Sequence, residues 1–133
     1  MMFLRALFAL FAYDVVCKSC SFEAIYAMVK HWSISNKNGD QQNDDQQNGD
    51  QQNAVDHVCK AVNYACIWYP RQVLCLQRSF VTTYLLRKLG VDAHMVLGAQ
   101  KLPFKAHAWV EVDGRAVNER SNVQATYAVW DRC

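Results

Sequence analysis

A cysteine, a histidine and a carboxylate fall in chain order at Cys75, His107 and Glu119. These are the parts of a thiol-based acyl-transfer site: a nucleophile, a base that activates it and an acid that orients the base. A free thiol is a weak nucleophile at neutral pH, because only the thiolate attacks and the ordinary thiol pKa is about 8.5. A helix N-terminus and an adjacent imidazole both lower that value. Cys75 opens a long apolar helix pattern that closes at Gly90, so it sits where a helix begins. Its own backbone N–H is then the obvious oxyanion donor. No Ser, Thr, Asp or Asn precedes it in Arg71-Gln-Val-Leu74, so no side-chain cap marks the start.

His107 lies in the strand pattern Ala106-His-Ala-Trp-Val-Glu-Val-Asp-Gly114, between two alanines that leave room for another element. Asp113-Gly114 signals a hairpin into the strand pattern that carries Glu119. A two-residue loop pairs Val112 with Arg115, sets His107 opposite Arg120 and turns Glu119 to the other face. A three-residue loop pairs Glu111 with Arg115, a favourable cross-strand charge pair, and sets His107 opposite Glu119. The sequence predicts the three-residue loop, because only that one lets Glu119 orient the imidazole. Asn118 is the orienting residue in the other register.

The elements that must position these groups follow from periodicity. Residues 3–32 read as helix with a break near Cys17–Ser21, and Leu4, Leu7, Phe8, Phe11 and Val15 form the predicted buried face. The first dozen residues look superficially like a secretion signal, but Arg5 interrupts the apolar run and Asp14 ends it. The run also falls short of the ~20 residues that span a bilayer. A core helix is the first reading, and a membrane-surface or partner-docking helix the alternative. Residues 36–53 contain three copies of a five-residue unit, Gly/Asp-Asp-Gln-Gln-Asn, with no apolar side chain. Such a tract cannot offset its own ordering entropy, which predicts a surface loop. Residues 54–68 read as a helix with Val55, Val58, Cys59, Val62, Cys66 and Ile67 as its stripe, ended by Tyr69-Pro70. Gly90 caps the Cys75 helix in the left-handed conformation. Strands are predicted at 91–99, 105–112 and 115–120, and a tail at 121–133 whose Tyr127 and Trp130 pack down. The expected fold is α+β: N-terminal helices plus a nucleophile helix packed on a small antiparallel sheet. At 133 residues the chain reads as a single domain, 1–133, with a low-complexity surface loop at 36–53.

Composition excludes other classes. Residues 36–53 carry one Lys and four Asp, net −3, so a total of +2 leaves about +5 on the remainder. That is too mild for nucleic acid, and no basic run with interleaved aromatics supports it. The six cysteines are read as free thiols, because a chain that is 52% hydrophobic builds a core without staples. Cys17-Lys-Ser-Cys20 is a single CxxC with no second pair, whereas a structural zinc site takes four ligands, so no metal and no cofactor is expected.

The run Cys75-Leu-Gln-Arg-Ser, then Leu-Leu-Arg-Lys-Leu-Gly90-Val, then Pro103 to Gly114, then Val117-Asn-Glu119, resembles lasso-peptide leader peptidases. These are bacterial B-type processing proteins with a transglutaminase-like, papain-related core. The similarity covers about residues 54–120, and the total length looks like the split form of the family. It implies a cytoplasmic cysteine peptidase that removes the leader from a ribosomally made precursor. Its partners would be the precursor's leader peptide, a separate leader-binding recognition protein and an ATP-dependent lasso cyclase. Cys75 would be nucleophile, His107 base and acid, and Glu119 third member. Arg78 matches a recurring Arg and either binds substrate or holds a buried acid. Trp109, on the His107 face, is either core or a wall of the substrate groove. Two positions depart from the family: Glu119 stands where Asp is usual, and Gln77 where Pro is frequent. An amide acyltransferase with the same triad and a non-catalytic scaffold of a maturation complex are the alternative readings.

Overall fold

The structure, a computed structural model, describes residues 1–32, 44–119 and 122–133. Its elements run α1 (Met2–Ser19), α2 (Phe22–His31), α3 (Asp44–Trp68), α4 (Cys75–Lys88), β1 (Ala93–Lys101), β2 (Phe104–Val112), β3 (Arg115–Ala116), α5 (Val123–Thr126) and β4 (Ala128–Arg132). This is the expected α+β arrangement, with helices followed by an antiparallel sheet.

The break between α1 and α2 falls at Cys20, which is extended, and Ser21 then caps α2 by accepting from the Ala24 N–H. The buried face of α1 differs from the predicted one. Ala6, Ala9, Leu10 and Tyr13 are buried, whereas Leu4, Phe8, Phe11 and Val15 are exposed. α1 is apolar on nearly every side, so periodicity alone does not select a face. The alanine face wins because small side chains let α1 approach closely.

α3 starts at Asp44, ten residues before the predicted helix, so half of the repeat tract is helical rather than loop. Residues 36–43 of the tract lie outside the described residues. Val55, Val58 and Val62 root the helix in the core. The Gln-rich extension is then held by side chains: Gln52 Nε2 donates to Asp56 Oδ1 at 3.1 Å, one turn on, and Gln51 Nε2 to Asp113 Oδ2 at 2.8 Å. Ile67, predicted for the stripe, is exposed, and Ala61 and Ala65 are buried in its place.

Gly90 takes φ 81°, as the left-handed cap requires. The Val91 and Gly90 N–H groups bond the carbonyls of Leu86 and Arg87, which closes α4 in a Schellman motif. Arg87 is buried, and among the described residues its guanidinium has no carboxylate partner. Its guanidinium donates to Ala93 O, Val29 O and Trp32 O, stitching the C-terminus of α2 to the start of β1. Burial lowers its pKa.

The sheet order is β3-β2-β1-β4. The tail forms β4 along the edge of β1, where Met95 and Cys133 exchange both backbone hydrogen bonds; Tyr127 packs down as predicted, whereas Trp130 is exposed. The hairpin corrects the predicted register. Val112 pairs with Arg115 and Glu111 with Ala116, so the loop has two residues, not three. Asp113 and Gly114 both take positive φ, 51° and 75°, a type I′ turn whose twist matches the flanking strands. β3 ends at Ala116, well short of the predicted 115–120, of which residue 120 lies outside the described residues. One face of the sheet sets Ala93, Val110 and Val112 against Val81, Leu85 and Leu86 of α4. The other sets Val96 and Trp109 against Val123 and Tyr127. Each fully buried Val or Leu contributes about 1.5–3 kcal/mol relative to exposure.

Candidate active site

Cys75 is the first residue of α4, with Leu74 as an N-cap that supplies no side-chain hydrogen bond. The first N–H groups of a helix have no partner within it. Leu74 supplies no cap side chain to occupy them, and such N–H groups can donate to an anion. The thiol is half-buried and outside any disulfide. Gln77 was not recognised from sequence as an anchor. Its amide donates to Leu10 O and to Asp14 Oδ1, both at 3.2 Å, and Tyr69 donates its hydroxyl to Asp14 Oδ2. α1, α3 and the first turn of α4 are thereby tied together. Where a proline would pre-set the helix start through φ, this chain uses side-chain hydrogen bonds. Burial, and then the bond to Asp14, pushes the Tyr69 hydroxyl up to about 12.

His107 sits on β2 on the same face as Trp109. Trp109 is fully buried, stacks at 6.2 Å from the imidazole and donates its indole N–H to Glu111. It is therefore part of the floor under His107 and lines no open groove. Tyr127 flanks the imidazole at 5.4 Å. Its role was hidden because the tail showed no strand signal.

His107 Nε2 lies 2.9 Å from Glu119 Oε1. Were the carboxylate ionised it would only accept, which would assign the ring proton to Nε2 and, in a neutral imidazole, the lone pair to Nδ1. Glu119 reaches the ring from outside the ladder. After Val117, whose N–H donates to Val110 O, the chain leaves the strand, so face alternation no longer applies. Asn118 does not orient the imidazole. Its Oδ1 accepts from the Val110 N–H at 2.8 Å and its amide donates to Ser79 Oγ at 3.3 Å, while Ser79 donates to Ala108 O at 3.0 Å. This buried chain fixes the Glu119 segment against both β2 and α4.

Arg78, one turn from Cys75, donates from Nη2 to Glu119 Oε1 at 2.7 Å. Of its two predicted roles, the structure displays the holding of an acid. The links from the Cys75 helix to the imidazole are thus Arg78 and Glu119. Among the described residues no side-chain hydrogen bond joins Cys75 directly to His107. Among the described residues β2 is paired on this side at Glu111 and Val112, with one more backbone bond from Val117 to Val110, so that no described strand lies beside His107 and Glu119 reaches it around this edge. No cluster of three metal-ligating side chains occurs among the described residues.

The family model described as "Transglutaminase-like superfamily" matches residues 17–131. The microcin J25-processing protein McjB of Escherichia coli is 36% identical over 55 residues, which are 41% of this chain and 26% of that protein. The aligned stretch therefore spans about a quarter of the relative's length. No solved structure matches.

Proposed function

Because the chain belongs to the transglutaminase-like superfamily, we propose that it is a cysteine peptidase that removes the leader from a ribosomally made lasso-peptide precursor. The observation that carries this reading is the His107–Glu119 contact, fastened through Arg78 to the helix that Cys75 heads. In the proposed reaction His107 Nδ1 takes the thiol proton and Cys75 Sγ bonds to the scissile carbonyl carbon. The oxyanion is received by the Cys75 N–H. The imidazolium then protonates the leaving amine as the C–N bond breaks. Water, deprotonated by His107, hydrolyses the thioester and frees the thiol. Thiol and imidazole must close on each other when substrate binds, as catalytic hydrogen bonds commonly tighten only in the complex. The leader peptide, a separate leader-binding protein and an ATP-dependent cyclase are the proposed partners, in the cytoplasm.

The lack of a direct Cys75–His107 hydrogen bond favours a second reading, a non-catalytic scaffold for the same maturation. Mass spectrometry of a lasso precursor incubated with the chain and a leader-binding protein separates the two. Cleavage by wild type and none by Cys75→Ala is the expected result. Cleavage that survives Cys75→Ala sinks the peptidase mechanism, and no cleavage by either, with the leader shown to be bound, favours the scaffold.

A further inference from the structure

Among the described residues the outer side of α1 is exposed, apart from the edge-on contact of Phe11 with the Tyr69 ring at 4.9 Å. Leu4, Phe8, Phe11 and Val15 stand at helical spacing on the side opposite the buried alanines, with Phe8 76% exposed. A helix apolar all round is ordinarily covered all round. No helix among the described residues is long and apolar enough to cross a membrane. α1 up to Val16 also precedes the residues that the family model matches.

Beside this stripe a groove of about 540 Å³ opens between α1, α2 and α4. Phe8, Met28, Trp32 and Tyr84 line it, and Tyr13 and Phe80, with ring centroids 4.9 Å apart, meet within it. Among the described residues the charged ones in its lining are Arg5 and Lys88, both cationic, and Lys88 Nζ stands 5.7 Å over the Tyr84 ring. An apolar slot with a purely cationic edge complements an apolar segment that carries carboxylates. A second copy of α1 fits poorly. It would bring Arg5 against these cations, and its one acid, Asp14, is already engaged by Tyr69 and Gln77. A lipid surface supplies negative charge but is flat and leaves a concave slot unfilled.

We propose that this groove docks an amphipathic helix of another polypeptide, which fills the slot with apolar side chains at helical spacing and sets carboxylates against Arg5 and Lys88. The proposal is independent of the peptidase reading, and either can fail alone.

The test uses the full chain and a fluorescein-labelled, amide-capped peptide of about 18 residues, long enough to hold a helix. The probe has Leu at alternating three- and four-residue spacing on one face and two Glu beside that face. Fluorescence anisotropy should show it binding wild type. Affinity should fall by about tenfold or more in Phe8→Glu and in the double variant Arg5→Glu/Lys88→Glu, and that double variant should prefer a probe with Lys in place of the two Glu. Phe8, Arg5 and Lys88 are all exposed, so the variants leave the core intact, and Met28→Glu on the facing wall repeats the test should Phe8→Glu misfold. The proposal is overturned if the Glu probe does not bind, or binds no better than the Lys probe. It is also overturned by a dimer in sedimentation velocity that Phe8→Glu dissolves, or by cosedimentation with phosphatidylglycerol vesicles that replaces probe binding.

Discussion

Glu119 lies 2.9 Å from His107 although the two residues never pair across a strand. In the observed two-residue hairpin a regular β3 would have turned Glu119 away from the imidazole. The contact exists because the ladder stops at Ala116 and Asn118 takes up the Val110 N–H with its side chain. That frees the next residue to swing around the edge of β2. In the proposed reaction Glu119 fixes the tautomer, so Glu119→Gln should lower the cleavage rate by about a hundredfold or more. Glu119→Asp, one methylene shorter, should lose less. A Gln variant that cleaves at the wild-type rate with an unchanged pH profile removes Glu119 from the mechanism.

Arg78 donates to the same carboxylate oxygen, and Glu119 is only 12% exposed. Arg78→Ala therefore strips a partner from a nearly buried anion. The Arg78 side chain is itself 29% exposed, which moderates the loss. A destabilisation of about 1–2 kcal/mol is expected, read as a lower urea midpoint at unchanged slope. Arg78→Lys should recover part of it. If Arg78 bound substrate instead, the urea midpoint would stay put while KM rose.

Gly98 faces His107 across the β1–β2 ladder, and a Cβ there would come within 2.6 Å of Trp109 Cη2 and 3.0 Å of Tyr127 Cβ. The indole is fully buried and has nowhere to go. Gly98→Ala should cost about 1–3 kcal/mol through overpacking. It should also disturb the imidazole resting over Trp109, so cleavage should fall further than stability alone explains. Normal stability and normal cleavage together would show that the floor is softer than its packing indicates.

How much was legible in the sequence depended on whether local chemistry or tertiary contact set the answer. Cys75 at a helix start, Gly90 at its end and the strand with His107 were legible because periodicity and a glycine cap are local signals. The hairpin register was not. Both loops suit Asp113-Gly114, and the choice was argued from a regular ladder that the chain abandons after Ala116. The buried face of α1 was hidden because bulky and small apolar residues alternate around it, and only the packing partner decides. β4 and the role of Tyr127 depend on an edge of β1 that no local pattern reveals. Gln77 looked like the mere loss of a proline, since its partners Leu10 and Asp14 are more than 60 residues away in sequence.

Cys59 gives a pH-dependent test of the packing between α3 and the site. Its Sγ lies 3.5 Å from Val117 O, and burial, with Asp56 adding to it, pushes the thiol up from 9.0 to about 11. The thiol thus holds its proton more tightly in the folded chain than in the unfolded one. Its contribution is fully present below about pH 9 and is lost as pH rises from 9 to 11, because the unfolded thiol ionises first. Urea midpoints measured across that window should decline in wild type and decline less in Cys59→Ala, once the lower starting stability of the variant is subtracted. The same shift leaves about a hundredfold less thiolate at neutral pH, so iodoacetamide should label the exposed Cys17 and Cys20 well before Cys59. Equal slopes in the two urea series, or early labelling of Cys59, would mean that α3 does not seal this thiol against Val117.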